Sequence, residues 1–296
     1  MDFWPTFLRV LCVQLALLAG MCVLGANSLA SGVPPPRYLA LGDSLAAGDQ
    51  PDPSGIDRPT NQGYVDSLGR RLGRVYPSLR IRDLGCGGAT TRTVLHGGSG
   101  CDRPGGPSQL EVAERFLAAH RETALVTIDV GDNDIERCIH FDARGIDAAC
   151  VARGNASLDN NLPQIARRLR AAAGRHTAVV GIVDYDQYLA LWLDGAAGQI
   201  AARRSVPAIE ALNERMAGIY RRAGVLVADA GARFATTDLR NTRVLPGFGL
   251  VPLAVYRICR WTWACSPPPI GHDDHANAAG YNQIAQSVLD ALKTTG

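Results

Sequence analysis

Residues 37–48 read Arg37-Tyr38-Leu39-Ala40-Leu41-Gly42-Asp43-Ser44-Leu45-Ala46-Ala47-Gly48. The stretch from Arg37 to Leu41 has the length and composition of a short strand, closed by Gly42. Asp43 and Ser44 then fall on a strand-to-helix turn, where a serine hydroxyl is exposed and the backbone N–H groups that follow point outward. Working outward, strand-like runs recur at residues 79–84, 124–130, 178–183 and 225–228. Helix-like spacing covers 64–75, 109–120, 158–173, 206–222 and 276–292. Strands and helices alternate, which argues for a parallel sheet covered on both faces. No linker or repeat divides the chain, so the expectation is one α/β domain over residues 31–296. The long irregular stretches 45–62, 85–107, 131–157, 184–200 and 229–275 follow strand ends, the edge where open α/β sheets carry their sites.

Composition excludes several classes. Of 296 residues, 47% are hydrophobic and 20% charged, too apolar for a disordered chain. The 30 basic and 28 acidic residues are interspersed, leaving a net charge of +2 and no basic stripe for nucleic acid. The first thirty residues resemble a secretory signal peptide: Arg9 precedes an apolar run from Val10 to Gly25, with small residues after it. Cleavage is expected after Ala30, with Ala26 as second choice, leaving an exported chain with no stable membrane span. Export removes Cys12 and Cys22. Six cysteines remain, and six allow fifteen pairings. Their grouping favours Cys86–Cys101, Cys138–Cys150 and Cys259–Cys265, each closing a loop. No CxxC pair supports zinc.

Four blocks carry residues able to do chemistry. Ser44 needs a base before its hydroxyl becomes a nucleophile; read alone, it is equally an ordinary turn residue or a helix N-cap. No G-x-S-x-G elbow occurs. Cys86-Gly87-Gly88-Ala89-Thr90-Thr91 and Gly131-Asp132-Asn133-Asp134-Ile135 each follow a strand. The Gly88 N–H and the Asn133 amide are suitable donors for an oxyanion, yet both blocks also read as plain turns. Before the last helix stands Gly271-His272-Asp273-Asp274-His275-Ala276-Asn277-Ala278-Ala279-Gly280-Tyr281. His275 at a helix N-terminus suits a general base, whereas His272 and His275 with two carboxylates equally suit a cation.

Taken in this order, YLALGDSLAAG, CGGATT, GDNDI and HANAAGY resemble the SGNH, or GDSL, hydrolase family, and the resemblance runs from Tyr38 to the final helix. The three local cysteine pairs and Trp261-Thr262-Trp263-Ala264-Cys265 resemble its secreted bacterial esterases and lipases. The resemblance implies a flavodoxin-like three-layer α/β/α sandwich with a mostly parallel central sheet, and an ester hydrolase that uses no cofactor or metal. By position it makes Ser44 the nucleophile and His275 the base and then the acid. The oxyanion hole would be the Ser44 and Gly88 backbone N–H groups with the Asn133 amide. Two positions depart from the pattern. Asp132 stands where a second glycine is common, and a carboxylate there disfavours an anionic intermediate unless it points away. His272 stands where an aspartate often orients the histidine, so the His272 backbone carbonyl is the expected third partner, with Asp273 or Asp274 as the alternative. The expected substrate is a small-molecule or lipid ester, handled by a monomer outside the cell. A carbohydrate O-acetyl esterase or acyltransferase with the same residues is the alternative, and an inactive binding protein on this fold a further one.

Overall fold

The computed structural model describes residues 34–102, 104–139 and 147–294; the leader expected at residues 1–30 lies outside them. Five strands form the central sheet: β1 (Arg37–Gly42), β2 (Arg80–Asp83), β3 (Thr123–Asp129), β4 (Ala178–Val183) and β5 (Leu226–Asp229). Their order is β2-β1-β3-β4-β5, and every neighbouring pair is parallel. Tyr38 sits beside Ile81 on one side and Leu125 on the other, and Val180 beside Leu226. Tyr38 through Leu41, Val126, Ile128 and Val180 are fully buried, as central strands covered on both faces require. The edge strand β2 is instead charged and exposed, which blocks pairing with another chain.

Among the described residues nine helices connect and cover the sheet: α1 (Ser44–Ala47), α2 (Tyr64–Gly73), α3 (Thr91–His96), α4 (Gln109–Ala119), α5 (Ala148–Ala172), α6 (Gly195–Arg222), α7 (Ala230–Phe234), α8 (Leu253–Trp261) and α9 (Ala278–Lys293). Helix α9 packs on α2, α7 and α8, while α5 packs on α3, α4 and α6, which makes the two outer layers. The result is the three-layer sandwich with a flavodoxin-like strand order. Among the described residues no helix is long and apolar enough to cross a membrane.

The connections are more ordered than the sequence implies. Helix α5 begins at residue 148 rather than 158, and α6 at 195 rather than 206. Both run through a proline, Pro163 and Pro207, a residue that ordinarily breaks a helix. Their first turns, residues 148–151 and 195–198, are mostly small residues, so no apolar periodicity announces them. Asp147 caps α5 by accepting from Cys150 N at 3.0 Å, and the Cys138–Cys150 disulfide fastens that turn to the loop after β3. Stretch 45–62 holds a short hairpin (Asp49–Pro51 with Asp57–Pro59), and 229–275 holds another (Thr242–Leu245 with Gly249–Pro252). The other two disulfides are Cys86–Cys101 and Cys259–Cys265; all three expected pairs form, with Cα separations of 5.0–5.9 Å.

Candidate active site

The turn that carries Ser44 is held from beneath. Gly42 has φ +141°, and a Cβ there would lie 2.2 Å from the Asp129 carbonyl oxygen, so only glycine fits. The buried Gln109 amide clamps both polar groups of Gly42, accepting from its N–H at 3.1 Å and donating to its carbonyl at 2.9 Å. Asp129, at the end of β3, accepts from Asp43 N at 3.3 Å and Ala46 N at 3.1 Å, while Tyr64 Oη donates to its other oxygen at 2.6 Å. Asp43 caps α1 by accepting from Leu45 N at 3.1 Å. Ser44 thus starts a helical turn whose backbone is fixed on all sides.

Two neighbouring loops meet this turn. Gly88 has φ +73°, a left-handed conformation that suits glycine, and nothing lies within 4 Å of where its Cβ would be. Backbone conformation, rather than lack of space, therefore calls for the glycine. Asn133 sits in a single 3₁₀ turn, Asp132–Asp134, after β3. Its side-chain amide donates to Asp43 Oδ2 and to the Ala89 carbonyl, both at 3.2 Å. Asp134 accepts from Thr91 N at 2.8 Å and Thr91 Oγ1 at 2.7 Å, which ties the Asn133 turn to the Gly88 loop.

The histidine loop is pinned against the Trp261–Cys265 segment. Trp263 N donates to the His275 carbonyl at 3.0 Å, Thr262 bridges to Ala276, and Asn277 N donates to the Trp261 carbonyl at 2.9 Å. Asn277 caps α9 by accepting from Ala279 N and Gly280 N. From the loop after β4, Tyr185 Oη donates to the Asp274 carbonyl at 2.8 Å.

His275 Nδ1 faces three carboxylates: Asp273 at 3.1 Å, Asp57 at 3.4 Å and Asp274 at 3.6 Å. The His275 side chain is 11% exposed and that of Asp273 9%. Burial pushes the imidazole down, but the hydrogen bond with Asp273 and the charges of Asp274, Asp273 and Asp57 outweigh it and raise it to about 10. Burial and a hydrogen bond with Asp273 lift Asp57 to about 7. Asp273 itself is held below the usual carboxylate range, since its bonds with His275 and Asp57 overcome burial. Sequence reasoning put the His272 carbonyl first; the atom beside Nδ1 here is a carboxylate oxygen of Asp273, and the His272 ring turns instead to the Ala264 carbonyl at 3.2 Å. Among the described residues, the one group spaced to hold a metal ion is Asp57, Asp273 and His275, which leaves out His272.

Ser44, Gly88, Asn133 and His275 line one open cavity of about 360 Å³. Asp132 lines it too and does not turn away: Oδ2 accepts from Gln187 at 3.1 Å, and Oδ1 is buried without a partner. Burial, with Asp184, Asp274 and Asp43 nearby, raises its carboxyl well above the usual range and favours the neutral acid, which relieves the repulsion expected beside an oxyanion. Sequence reasoning did not find Gln109, Asp57, Glu136 or Asp184, because no local spacing links them to the four blocks.

Residues 40–283 match the GDSL-like lipase/acylhydrolase family. No curated protein sequence matches. Solved structures share the fold: phospholipase A1 from Streptomyces albidoflavus (21% identity, TM-score 0.51, 88% of this chain and 99% of that one); an extracellular lipase from Streptomyces rimosus (19%, 0.51, 88% and 99%); and the acetylxylan esterase Axe2 from Geobacillus stearothermophilus (17%, 0.51, 86% and 93%). The family match spans most of the chain and takes in all four chemical blocks, so the chain belongs to the GDSL-like lipase/acylhydrolase family and is a serine ester hydrolase.

Proposed function

We propose that the chain is an exported carboxylic ester hydrolase that works through an acyl-enzyme on Ser44. The observation that carries this reading is the convergence of Ser44, Gly88, Asn133 and His275, from four separate loops, on one cavity. Ser44 Oγ attacks the ester carbonyl while His275 Nε2 takes its proton. The oxyanion of the tetrahedral intermediate is met by the Ser44 and Gly88 N–H groups and by the Asn133 amide, which exchanges its resting hydrogen bond to Asp43 for one to the oxyanion. Asp273 keeps the Nδ1 proton of His275, fixing tautomer and ring orientation. His275 then protonates the leaving alcohol, and water repeats the sequence on the acyl-enzyme. Export is supported by the disulfides, which persist in oxidising compartments.

Asn133→Ala tests the oxyanion assignment. Losing one such donor should lower kcat by roughly 10²–10³-fold with little change in KM, measured on a p-nitrophenyl ester of short acyl length. An undiminished kcat would remove Asn133 from the oxyanion hole.

A second expectation comes from the carboxylates around His275. They favour the imidazolium, so the neutral base is scarce at pH 7 and grows about tenfold per pH unit below its pKa. kcat/KM should therefore climb on the alkaline side of neutrality, with the midpoint well above an ordinary imidazole. Asp57→Asn removes one of the raising charges and should move that limb to lower pH. A limb at the ordinary histidine value, unmoved by Asp57→Asn, would contradict this electrostatic picture.

A further inference from the structure

The hairpin of Thr242–Leu245 with Gly249–Pro252 holds three large apolar side chains in solvent: Val244 is 67% exposed, Phe248 54% and Leu250 71%. Val244 and Leu250 stand directly opposite each other across the two strands, so they share a face. Leu245 and Val251, one step along each strand, point the other way and are buried, on the side where the hairpin packs against α8. Phe248 stands at the tip between Gly247 and Gly249, both with positive φ, and a Cβ on either glycine would meet open space. The tip therefore projects instead of lining a groove. Exposed apolar side chains grouped in this way mark an interaction surface. Charge sets the surface apart as well. From Leu239 to His272 the sequence holds four arginines and no aspartate or glutamate, and Arg240, Arg243 and Arg260 are exposed. Asp238, at the base of the hairpin, is engaged within its own turn: it accepts from Asn241 N at 2.9 Å, Asn241 Nδ2 at 2.8 Å and Arg240 N at 3.2 Å.

We propose that this hairpin anchors the protein on the surface of an anionic phospholipid bilayer, with Val244, Phe248 and Leu250 entering the boundary between headgroups and acyl chains and Arg240 and Arg243 meeting lipid phosphates. A projecting apolar tip suits fluid lipid, which needs no complementary shape, and the arginines suit its negative charge. A second copy of the chain fits less well, because a two-fold contact through so small a surface sets the same arginines against one another. The anchor does not depend on the chemistry of Ser44. It is joined to that site by α8, which runs from the hairpin to Trp261–Cys265, the segment that pins the His275 loop.

The test is co-sedimentation of the disulfide-bonded protein, purified after export and so free of the apolar run Val10–Gly25, with two kinds of vesicle. One is phosphatidylcholine alone; the other holds phosphatidylcholine and phosphatidylglycerol in equal parts. The wild type should bind the mixed vesicles more tightly than the neutral ones by roughly tenfold or more, and added salt should erase that preference. Phe248→Ser combined with Leu250→Ser should weaken binding to the mixed vesicles by at least about tenfold, the worth of the apolar surface withdrawn from lipid. Arg240→Gln combined with Arg243→Gln should instead abolish the preference for phosphatidylglycerol. All four substitutions fall on exposed side chains, so both double variants should keep wild-type thermal unfolding and wild-type turnover of a dissolved short ester. A wild type that stays in solution with the mixed vesicles overturns the proposal, as does binding that both double variants retain in full. So does a wild type that sediments as a dimer in analytical ultracentrifugation while the Phe248→Ser, Leu250→Ser variant is a monomer, because the hairpin would then serve a second copy.

Discussion

Ser44→Ala is expected to lower hydrolysis of a short acyl ester by roughly 10⁵–10⁶-fold, as removal of an acyl-enzyme nucleophile does. The fold should survive, because what holds the turn is backbone and neighbours: the Gln109 clamp on Gly42, the Asp129 bonds to Asp43 N and Ala46 N, and the Asp43 cap. Alanine is also a good helix former at the first position of α1. A variant with wild-type thermal unfolding and no turnover separates chemistry from folding. Retained turnover in that variant refutes the nucleophile.

The second large effect is expected at Asp273. If its carboxylate holds the Nδ1 proton of His275, Asp273→Asn favours the wrong tautomer, and kcat should fall by roughly 10²–10⁴-fold. The measurement belongs near pH 9 as well as pH 7, because removing the charge also lowers the histidine pKa and frees more base at neutral pH. Asp274, 0.5 Å farther from Nδ1 than Asp273, should matter less. A loss under about tenfold for Asp273→Asn at both pH values would return the orienting role to the His272 carbonyl.

Much of this was legible in the sequence, and the reasons are local. The bounds of all five strands shift by one residue or less in the structure; β1, β3 and β4 are mostly apolar runs because both their faces are buried, whereas the charged, exposed β2 is betrayed only by its alternation. Three of the four chemical blocks sit where strands end, so their place at one edge of the sheet follows from the alternation itself; the His275 block instead lies between α8 and α9. The early turns of α5 and α6 were not legible: a proline in each and an opening of small residues hide the helical period, and the start of α5 is fixed by a disulfide and a cap. The other acidic residues lining the cavity were hidden for a different reason. Asp57 arrives on a hairpin, Glu136 from a 3₁₀ turn and Asp184 from the end of β4, and only the folded chain brings them near His275 and Asn133. Asp132 stood out as a departure, but its inward direction is set by Gln187, 55 residues away.

The most direct measurement is covalent. Treat the intact, disulfide-bonded protein with a fluorophosphonate, which phosphonylates an activated serine, and locate the adduct by peptide mass spectrometry. One adduct is expected, on Ser44, with loss of hydrolysis in proportion to labelling and no adduct in Ser44→Ala. An adduct on another residue, or full hydrolysis by protein labelled at Ser44, would contradict the assignment.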